Sequence, residues 1–382
     1  MILMVTDLYP GRGTRDPSVY ALHRFCRHWT RENRIRVLMP RILPNPRDRH
    51  GVAAGEWEIE GVEVVSTRVW KFPFRPRFHI NALEREASRI HPQVVVGHLG
   101  FNLEFAARLA SRNNLPLVAA VHMGDLIYGP RMLGSERLRE ILFSARVVAA
   151  RSPAVRRRLL AGFPDLRSRC RTIWSGLDTP GYLRDSPEPR LRELTRGGTL
   201  RLITACSLTK LKKVDVTLKA LARIGASRSW IFTIAGEGPE RSRLESLARD
   251  LGMESRVRFT GGLSRASLRK ELAGAHLFVM VSAPETFGLA YLEAMGAGCL
   301  VVGAQGNGVD GIVVNRRNGW LCRPGDVEGL AELLKEVLSA REQTLSGMAR
   351  RSGRTVSMLT EEKAAANYLN IIEQAVSRRE ET

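Results

Sequence analysis

Cysteine is scarce and dispersed. The five residues Cys26, Cys170, Cys206, Cys299 and Cys322 form no C-x-x-C pair and are odd in number, which argues against both a disulfide framework and a zinc site. They read as reduced packing residues. No run approaches the ~18 apolar residues of a membrane span. The opening Met1-Ile2-Leu3-Met4-Val5-Thr6 has no basic stretch before it and is too short for a signal peptide, so it reads as the first strand of a protein that is not exported. Acidic side chains are also in deficit: 39 Asp and Glu face 59 Lys and Arg, leaving a net charge of +20. A field of that sign draws nucleic acid, anionic lipid or polyphosphate. A nucleic-acid-binding protein is disfavoured, because there is no helix-turn-helix, zinc or RNP signature and the basic residues are not interleaved with stacking aromatics along strands. Arginine greatly outnumbers lysine throughout, which codon usage alone can produce, so the distribution says more. The first 185 residues hold roughly 30 basic against about 17 acidic groups, placing most of the excess in the amino-terminal half.

What the chain has in quantity is alternation. Apolar strand candidates recur at 1–6, 36–39, 62–69, 94–97, 117–121 and 147–150, then at 200–206, 230–235, 257–260, 277–281 and 299–302, with helical patterns between them. That rhythm predicts parallel sheets with right-handed crossovers. Between the two sets, Asp178-Thr179-Pro180-Gly181, Asp185-Ser186-Pro187-Glu188-Pro189 and Gly197-Gly198 read as a linker by their Pro and Gly content. At 382 residues the expectation is an α/β chain of two Rossmann-like domains facing a cleft, 1–180 and 199–360.

The most informative stretch runs from Ser282 to Gly298. It follows Leu277-Phe278-Val279-Met280-Val281, an unbroken apolar run of the kind a doubly buried parallel strand produces. Glu285 then sits just past a strand's carboxyl end. Phe287-Gly288-Leu289 opens a run of helix formers that contains Glu293, and the first free amides of that helix make an anion site. The spacing puts Glu285 in the loop and Glu293 inside the helix.

This stretch resembles the signature of retaining glycosyltransferases of family 4 (glycosyl transferases group 1), two acids eight positions apart with Phe-Gly-Leu between them and Glu-Ala-Met inside the helix. The resemblance implies the GT-B architecture, with a last helix, about 361–378, that packs back on the first domain. It implies that Glu293 holds ribose hydroxyls, that Phe287, Gly288 and Leu289 meet the distal phosphate through their amides, and that Glu285 touches the donor sugar. Lys212 falls on the family's phosphate-binding lysine, in Cys206-Ser207-Leu208-Thr209-Lys210-Leu211-Lys212-Lys213. Ser207 stands where the family has arginine. Either Lys210 or Lys213 supplies the second charge, or the chain belongs to a Ser-Leu subgroup with one cation. Gly236-Glu237-Gly238-Pro239 matches a Gly-Asp-Gly-Pro turn on the donor side, and Gly306 to Val313 aligns with a donor-side loop in which Asp310-Gly311 replaces Pro-Glu. In the first half, His122-Met123-Gly124-Asp125 matches His-Gly-x-Asp, so the resemblance implies that His122 positions the donor sugar. His98 supports it, with Asp125 on the acceptor side. The first turn departs more: Pro10-Gly11-Arg12-Gly13 and Asp16-Pro17-Ser18-Val19 replace the usual Gly-Gly loop, and Gly13 and Ser18 fall on the acceptor side.

The expectation is therefore a retaining, metal-independent hexosyltransferase of bacterial cell-surface polysaccharide or glycolipid synthesis. It uses no cofactor, takes a nucleoside-diphosphate sugar as substrate, acts on a glycan or lipid-linked acceptor and binds no nucleic acid. No Asp-x-Asp metal motif occurs in a suitable loop. The alternative is a nucleotide-sugar-binding protein without transferase activity. Trp70-Lys71-Phe72-Pro73-Phe74-Arg75-Pro76-Arg77-Phe78 interleaves aromatics and cations and reads as a loop, since its prolines exclude a regular helix or central strand. Trp70, Phe72, Phe74, Arg75 and Arg77 would hold a cytoplasmic enzyme at the inner, anionic face of the membrane, unless the rings pack on the domain's own core.

Overall fold

The computed structural model describes residues 1–11, 20–43, 55–71, 78–178, 182, 187–225 and 229–377. The chain divides into two units, Met1–Ser175 with Glu361–Thr382, and Gly176–Thr360.

The first unit is built on β1 (Ile2–Val5), β2 (Ile35–Leu43), β3 (Gly55–Ile59), β4 (Val62–Lys71), β5 (Phe78–His79), β6 (Val94–His98), β7 (Leu117–Val121), β8 (Val147–Ala150) and β9 (Cys170–Thr172). These lie in the order β3-β4-β2-β1-β6-β7-β8-β9, with β5 also against β4. All neighbours are parallel except β3 with β4 and β4 with β5. Its helices are α1 (Tyr20–Trp29), α2 (Asn81–Ile90), α3 (Phe101–Arg112), α4 (Met123–Met132), α5 (Ser135–Ser144) and α6 (Pro153–Gly162). Side chains alternate across the strands. Leu3 and Val5, Val95, and Leu117, Ala119 and Val121 join one core with Leu103 and Phe105 of α3 and Ile141 of α5. Ile2 and Met4, Val94 and Val96, and Val118 and Ala120 join the opposite core with Phe25 and Trp29 of α1. Both faces are buried, which is why these strands are apolar throughout.

The last helix, Glu361–Ser377, closes that second core with Ala364, Tyr368 and Ile371. Trp29 Nε1 donates to the Ala365 carbonyl at 2.9 Å. The Glu361 carboxylate, 5% exposed, accepts Arg27 at 2.6 Å and pairs with Arg24 at 3.1 Å. An acid in a helix's first turn also meets the positive end of its dipole.

The second unit carries β10 (Leu200–Ala205), β11 (Trp230–Ala235), β12 (Val257–Gly261), β13 (Leu277–Val279), β14 (Leu300–Ala304) and β15 (Trp320–Cys322), ordered β12-β11-β10-β13-β14-β15. Every pair is parallel. Helices α7 (Glu188–Thr195), α8 (Val214–Ile224), α9 (Arg241–Asp250), α10 (Arg265–Gly274), α11 (Leu289–Gly296), α12 (Val327–Ser339) and α13 (Glu342–Ser357) complete it. This is the doubly wound order, and it reverses direction between β10 and β13.

The structure corrects three sequence readings. The stretch read as linker contains α7, whose Leu191 and Leu194 are buried in the second unit's core. Pro187 and Pro189 fall at the helix start, where a missing N–H costs nothing, so proline marked an element's beginning. Strands β3, β5, β9 and β15 were not foreseen. β3 is a mostly exposed hairpin strand with two glutamates, and the other three have at most three residues. Third, Trp70 and Lys71 end strand β4, so the aromatic-basic segment begins on a strand. All five cysteines are free, and burial pushes the Cys26 and Cys299 thiols up to about 12.

Glu361→Gln removes the charge that holds Arg24 and Arg27 to the last helix. The expected loss is about 2 kcal/mol, since hydrogen bonds to charged groups contribute roughly 1.5–3 kcal/mol. Hydrogen exchange of the helix amides over Glu361–Ser377 should accelerate correspondingly. Unchanged protection would show that the apolar face alone holds the helix.

Candidate active site

In an open parallel sheet, loops at the carboxyl ends of the strands diverge where the strand order reverses, and a ligand crevice opens there. In the second unit those loops follow β10 and β13. The β10 loop makes a single 3-10 turn, Lys210–Lys212, before Lys213 adopts φ 54° at the start of α8. The β13 loop passes a cis Ala283–Pro284 peptide and reaches Glu285. The two are stitched together: the Ala283 amide donates to the Leu211 carbonyl at 2.9 Å, and Lys212 Nζ donates to Glu285 Oε2 at 2.5 Å. Ser282 Oγ donates to the same oxygen at 3.1 Å. The Lys212 and Glu285 side chains are 24% and 15% exposed, half-buried but open to a ligand.

A third loop fixes Glu285 from the other side. Asn307 Oδ1 accepts the Glu285 amide at 3.1 Å, and the Gly308 amide donates to the Glu285 carbonyl at 2.9 Å. Position 308 must be glycine, since a Cβ there would lie 2.6 Å from the Phe287 nitrogen. The Asp310 carboxylate accepts the Gly306 amide at 2.6 Å, so the acid that departs from the family pattern shapes this turn.

Gly288 caps α11 at φ 82°, over the Tyr291 ring, and Tyr291 Oη donates to the Met280 carbonyl. The first amides of α11 have no intrahelical acceptor, as at any helix start. The Phe287 side chain is buried, so that residue offers a ligand its backbone. Leu289 is the first residue of α11, and Glu293 lies within it. Glu293 stands close enough to Tyr182 that, after burial, its charge raises the Tyr182 hydroxyl's pKa. Gly236 has φ 140° with the Cys206 carbonyl where a Cβ would be. The neighbouring Glu237 carbonyl accepts the Leu208 amide at 2.8 Å, while its side chain is bound to Arg241. Ser207 is exposed in the same turn. The second unit therefore gathers Lys212, Glu285, Gly236 and the Phe287 to Leu289 backbone around one sheet edge.

In the first unit the order reverses between β1 and β6. His98 ends β6 and is fully buried; His122 follows β7 and is 9% exposed. His98 Nδ1 and His122 Nε2 are 3.2 Å apart, and Tyr368 Oη lies 2.9 Å from His98 Nε2. Burial, then the Arg151 charge, pulls the His122 imidazole down to about 3. The Asp125 carboxylate is 2% exposed and accepts the Gly100 and His122 amides, each at 2.7 Å. It thereby fixes the two turns, and desolvation still raises its pKa to about 6. Gly13, Ser18, Phe72, Phe74, Arg75 and Arg77 lie outside the described residues; Trp70 is 56% exposed.

Sequence reasoning missed Ser282, Asn307, Arg151 and Tyr368. Ser282 stands three residues before Glu285, a spacing at which a turn brings side chains together. Tyr368 had no local signal, because its partner is 270 residues away.

Two Rossmann-like sheets, each with polar side chains at its switch point, are the components of a GT-B chain. The glycosyl transferases group 1 model matches residues 189–352 and the Glycosyltransferase Family 4 model matches residues 19–180. The chain belongs to these GT-B glycosyltransferases. It is 26% identical over 305 residues to the sulfoquinovosyl transferase SQD2 of Arabidopsis thaliana, covering 75% of this chain and 58% of that protein. It is 31% identical over 162 residues to the lipopolysaccharide core biosynthesis glycosyltransferase LpsE of Rhizobium meliloti, 42% of this chain and 46% of that one. The chain spans about half the length of the curated relatives it matches. Among solved structures, HepE of Anabaena in complex with UDP superposes with a TM-score of 0.71 at 19% identity, over 100% of both chains.

The buried groups of the first unit oppose one another in acid. Asp125, raised from 3.8 to about 6, contributes stability below pH 3.8 that is lost as pH rises through 6. His122, lowered from 6.5 to about 3, contributes stability above pH 6.5 that is lost as pH falls towards 3. The Asp125 carboxyl carbon should titrate near pH 6 by NMR; a midpoint near 4 would contradict its desolvation.

Proposed function

We propose that the protein transfers a hexosyl group, with retention and without a metal ion, from a nucleoside-diphosphate sugar to a glycan acceptor that is lipid-linked, in cell-surface polysaccharide or glycolipid synthesis. The observation that carries this reading is the Lys212 ammonium, held 2.5 Å from Glu285 beside the start of α11 at a Rossmann switch point. A cation and free helix-start amides suit a diphosphate. Structural neighbours were solved with UDP and with UDP-glucose. Two relatives are named for sulfoquinovosyl transfer and for lipopolysaccharide core synthesis, which supports a glycolipid or polysaccharide setting.

In the reaction, the bond from the sugar's anomeric carbon to the β-phosphate oxygen breaks and a bond to the acceptor oxygen forms on the same face. The acceptor's proton passes to the departing phosphate oxygen. Negative charge grows on the diphosphate as it leaves, so Lys212 and the α11 amides stabilise the transition state more than the bound donor. Glu285 faces the sugar, with its orientation set by Ser282 and Asn307. Glu293, one helical segment away, takes the ribose hydroxyls. His122 steadies the sugar, as the family resemblance assigns it. Localisation at an anionic membrane surface rests on Trp70, whose exposed ring ends a strand of the more basic half of the chain.

A donor-hydrolysis and transfer assay separates this enzyme from a protein that only binds nucleotide sugars. Lys212→Ala should cost about 2–4 kcal/mol of transition-state stabilisation, the typical loss for one preorganised donor. Normal turnover would assign the charge to Lys210 or Lys213. Glu293→Ala should raise KM with little change in kcat, because ribose contact is uniform binding, whereas Glu285→Ala should lower kcat. Equal affinity losses with unchanged saturated turnover would overturn that division. In sedimentation with anionic vesicles, wild type should bind at low salt and Trp70→Ala should bind more weakly. Wild type left in the supernatant would remove the membrane reading.

A further inference from the structure

Glu285 is tied to the cation that a diphosphate would need. Lys212 Nζ donates to Glu285 Oε2 at 2.5 Å, and the fully buried Ser282 donates its hydroxyl to the same oxygen at 3.1 Å. Among the described residues Lys212 is the one cation paired with this carboxylate. The Glu285 stem also borders the start of α11: a Cβ placed on Gly288, the cap of that helix, would lie 3.6 Å from Glu285 Cγ. The side chain therefore sits on an ammonium and beside the positive end of a helix, the two features that suit a phosphate. An acid of the chain itself is the anion of this edge.

Any exchange of partners here is confined to the side chain. The Glu285 amide is held by Asn307 Oδ1 at 3.1 Å, its carbonyl accepts the Gly308 amide at 2.9 Å, and the Ala283 amide ties the same loop to the Leu211 carbonyl at 2.9 Å. The backbone is fixed at three points, while the side chains of the pair are 24% and 15% exposed, within reach of a ligand. An ammonium has three donors, yet a phosphate and a carboxylate that share it bring two negative charges within about 5 Å of each other, and in a half-buried place these repel strongly. Diphosphate and carboxylate compete for Lys212.

We propose that Glu285 is a built-in competitor of the donor: its carboxylate holds the place of a phosphate on Lys212 and gives it up when a nucleoside diphosphate binds. Rotation of the side chain then frees the carboxylate for the sugar, so the acid becomes available only once the diphosphate is seated. After transfer, its return to Lys212 helps to expel the nucleoside diphosphate product. This rests on the reading of Lys212 as the diphosphate's cation. Because the ion pair breaks on binding, part of the attraction of Lys212 is offset and the observed affinity falls by the strength of the pair. Removing the acid's charge then has two opposite effects, tighter nucleotide and slower turnover, where loss of an ordinary binding residue gives weaker nucleotide.

Isothermal titration calorimetry of the whole chain, as wild type, Glu285→Gln, Lys212→Met and the double variant, with UDP, GDP and ADP in turn, is the test. Glu285→Gln should bind the nucleotide that wild type prefers about tenfold more tightly, the scale of one half-buried ion pair, and should hydrolyse the matching nucleotide sugar more slowly. Lys212→Met should bind that nucleotide more weakly, and in its background Glu285→Gln should bring no gain, because no ammonium is left to compete for. Unchanged or weaker affinity in Glu285→Gln would overturn the proposal. So would an equal gain in the Lys212→Met background, which would show plain repulsion by a carboxylate that stays in place. Where Lys212→Met binds too weakly to measure, the comparison of wild type with Glu285→Gln decides alone, and Glu285→Ala takes the place of a Glu285→Gln protein that does not fold. Binding of none of the three nucleotides by either wild type or Glu285→Gln is a different failure: it would refute the reading of this edge as a donor site, and the competition with it.

Discussion

Burial of both sheet faces is the constraint on which the rest of the structure depends. Strands such as β7 and β14 have no exposed side chain, because helices cover them above and below. A ligand can then be met only by the loops at the strands' carboxyl ends, and most openly where the strand order reverses. In the second unit that position brings the β10 and β13 loops side by side. The ion pair between Lys212 and Glu285 forms across them. Neither residue is placed by its own loop alone: Leu211 and Ala283 join the backbones, while Asn307 and Gly308 brace Glu285 from the β14 side. Glycine at 236, 288 and 308 lets these loops approach to distances that a side chain would forbid.

The first unit meets the same constraint with different chemistry. Its switch-point groups are buried histidines, and the nearby carboxylate serves as a backbone anchor. The charged group among them is Arg151, set against Phe25 and Ser175. A cation in that place costs solvation; burial first, and then this charge, holds the two imidazoles unprotonated. The second unit thus presents an exposed-edge ion pair, Lys212 with Glu285, where the first presents buried imidazoles.

Much of this was legible in the chain, for reasons that can be assigned. A doubly buried parallel strand such as Leu117–Val121 is a continuous apolar run, and Trp230–Ala235 is apolar but for Thr233; the bounds of both match the expected ones. Glu285 in a loop and Glu293 in a helix followed from spacing and helix propensity. Short edge strands left no such trace, since three residues of β9 or β15 carry no periodicity. Proline misled at α7, where it starts a helix that composition alone reads as linker. The supports of the site were the least legible. Asn307 reaches Glu285, and Tyr368 reaches His98, through the fold and across long sequence separations, and no local pattern records such contacts.

On the proposed function, a nucleoside diphosphate binds at the Lys212 and Glu285 edge of the second unit. Hydrogen-exchange mass spectrometry with UDP, GDP and ADP, each titrated separately, tests it most directly. The account predicts that at least one of the three slows exchange at the amides of 286–292 and of the 206–213 turn. Protection confined to the first unit, or none with any of the three, would contradict it.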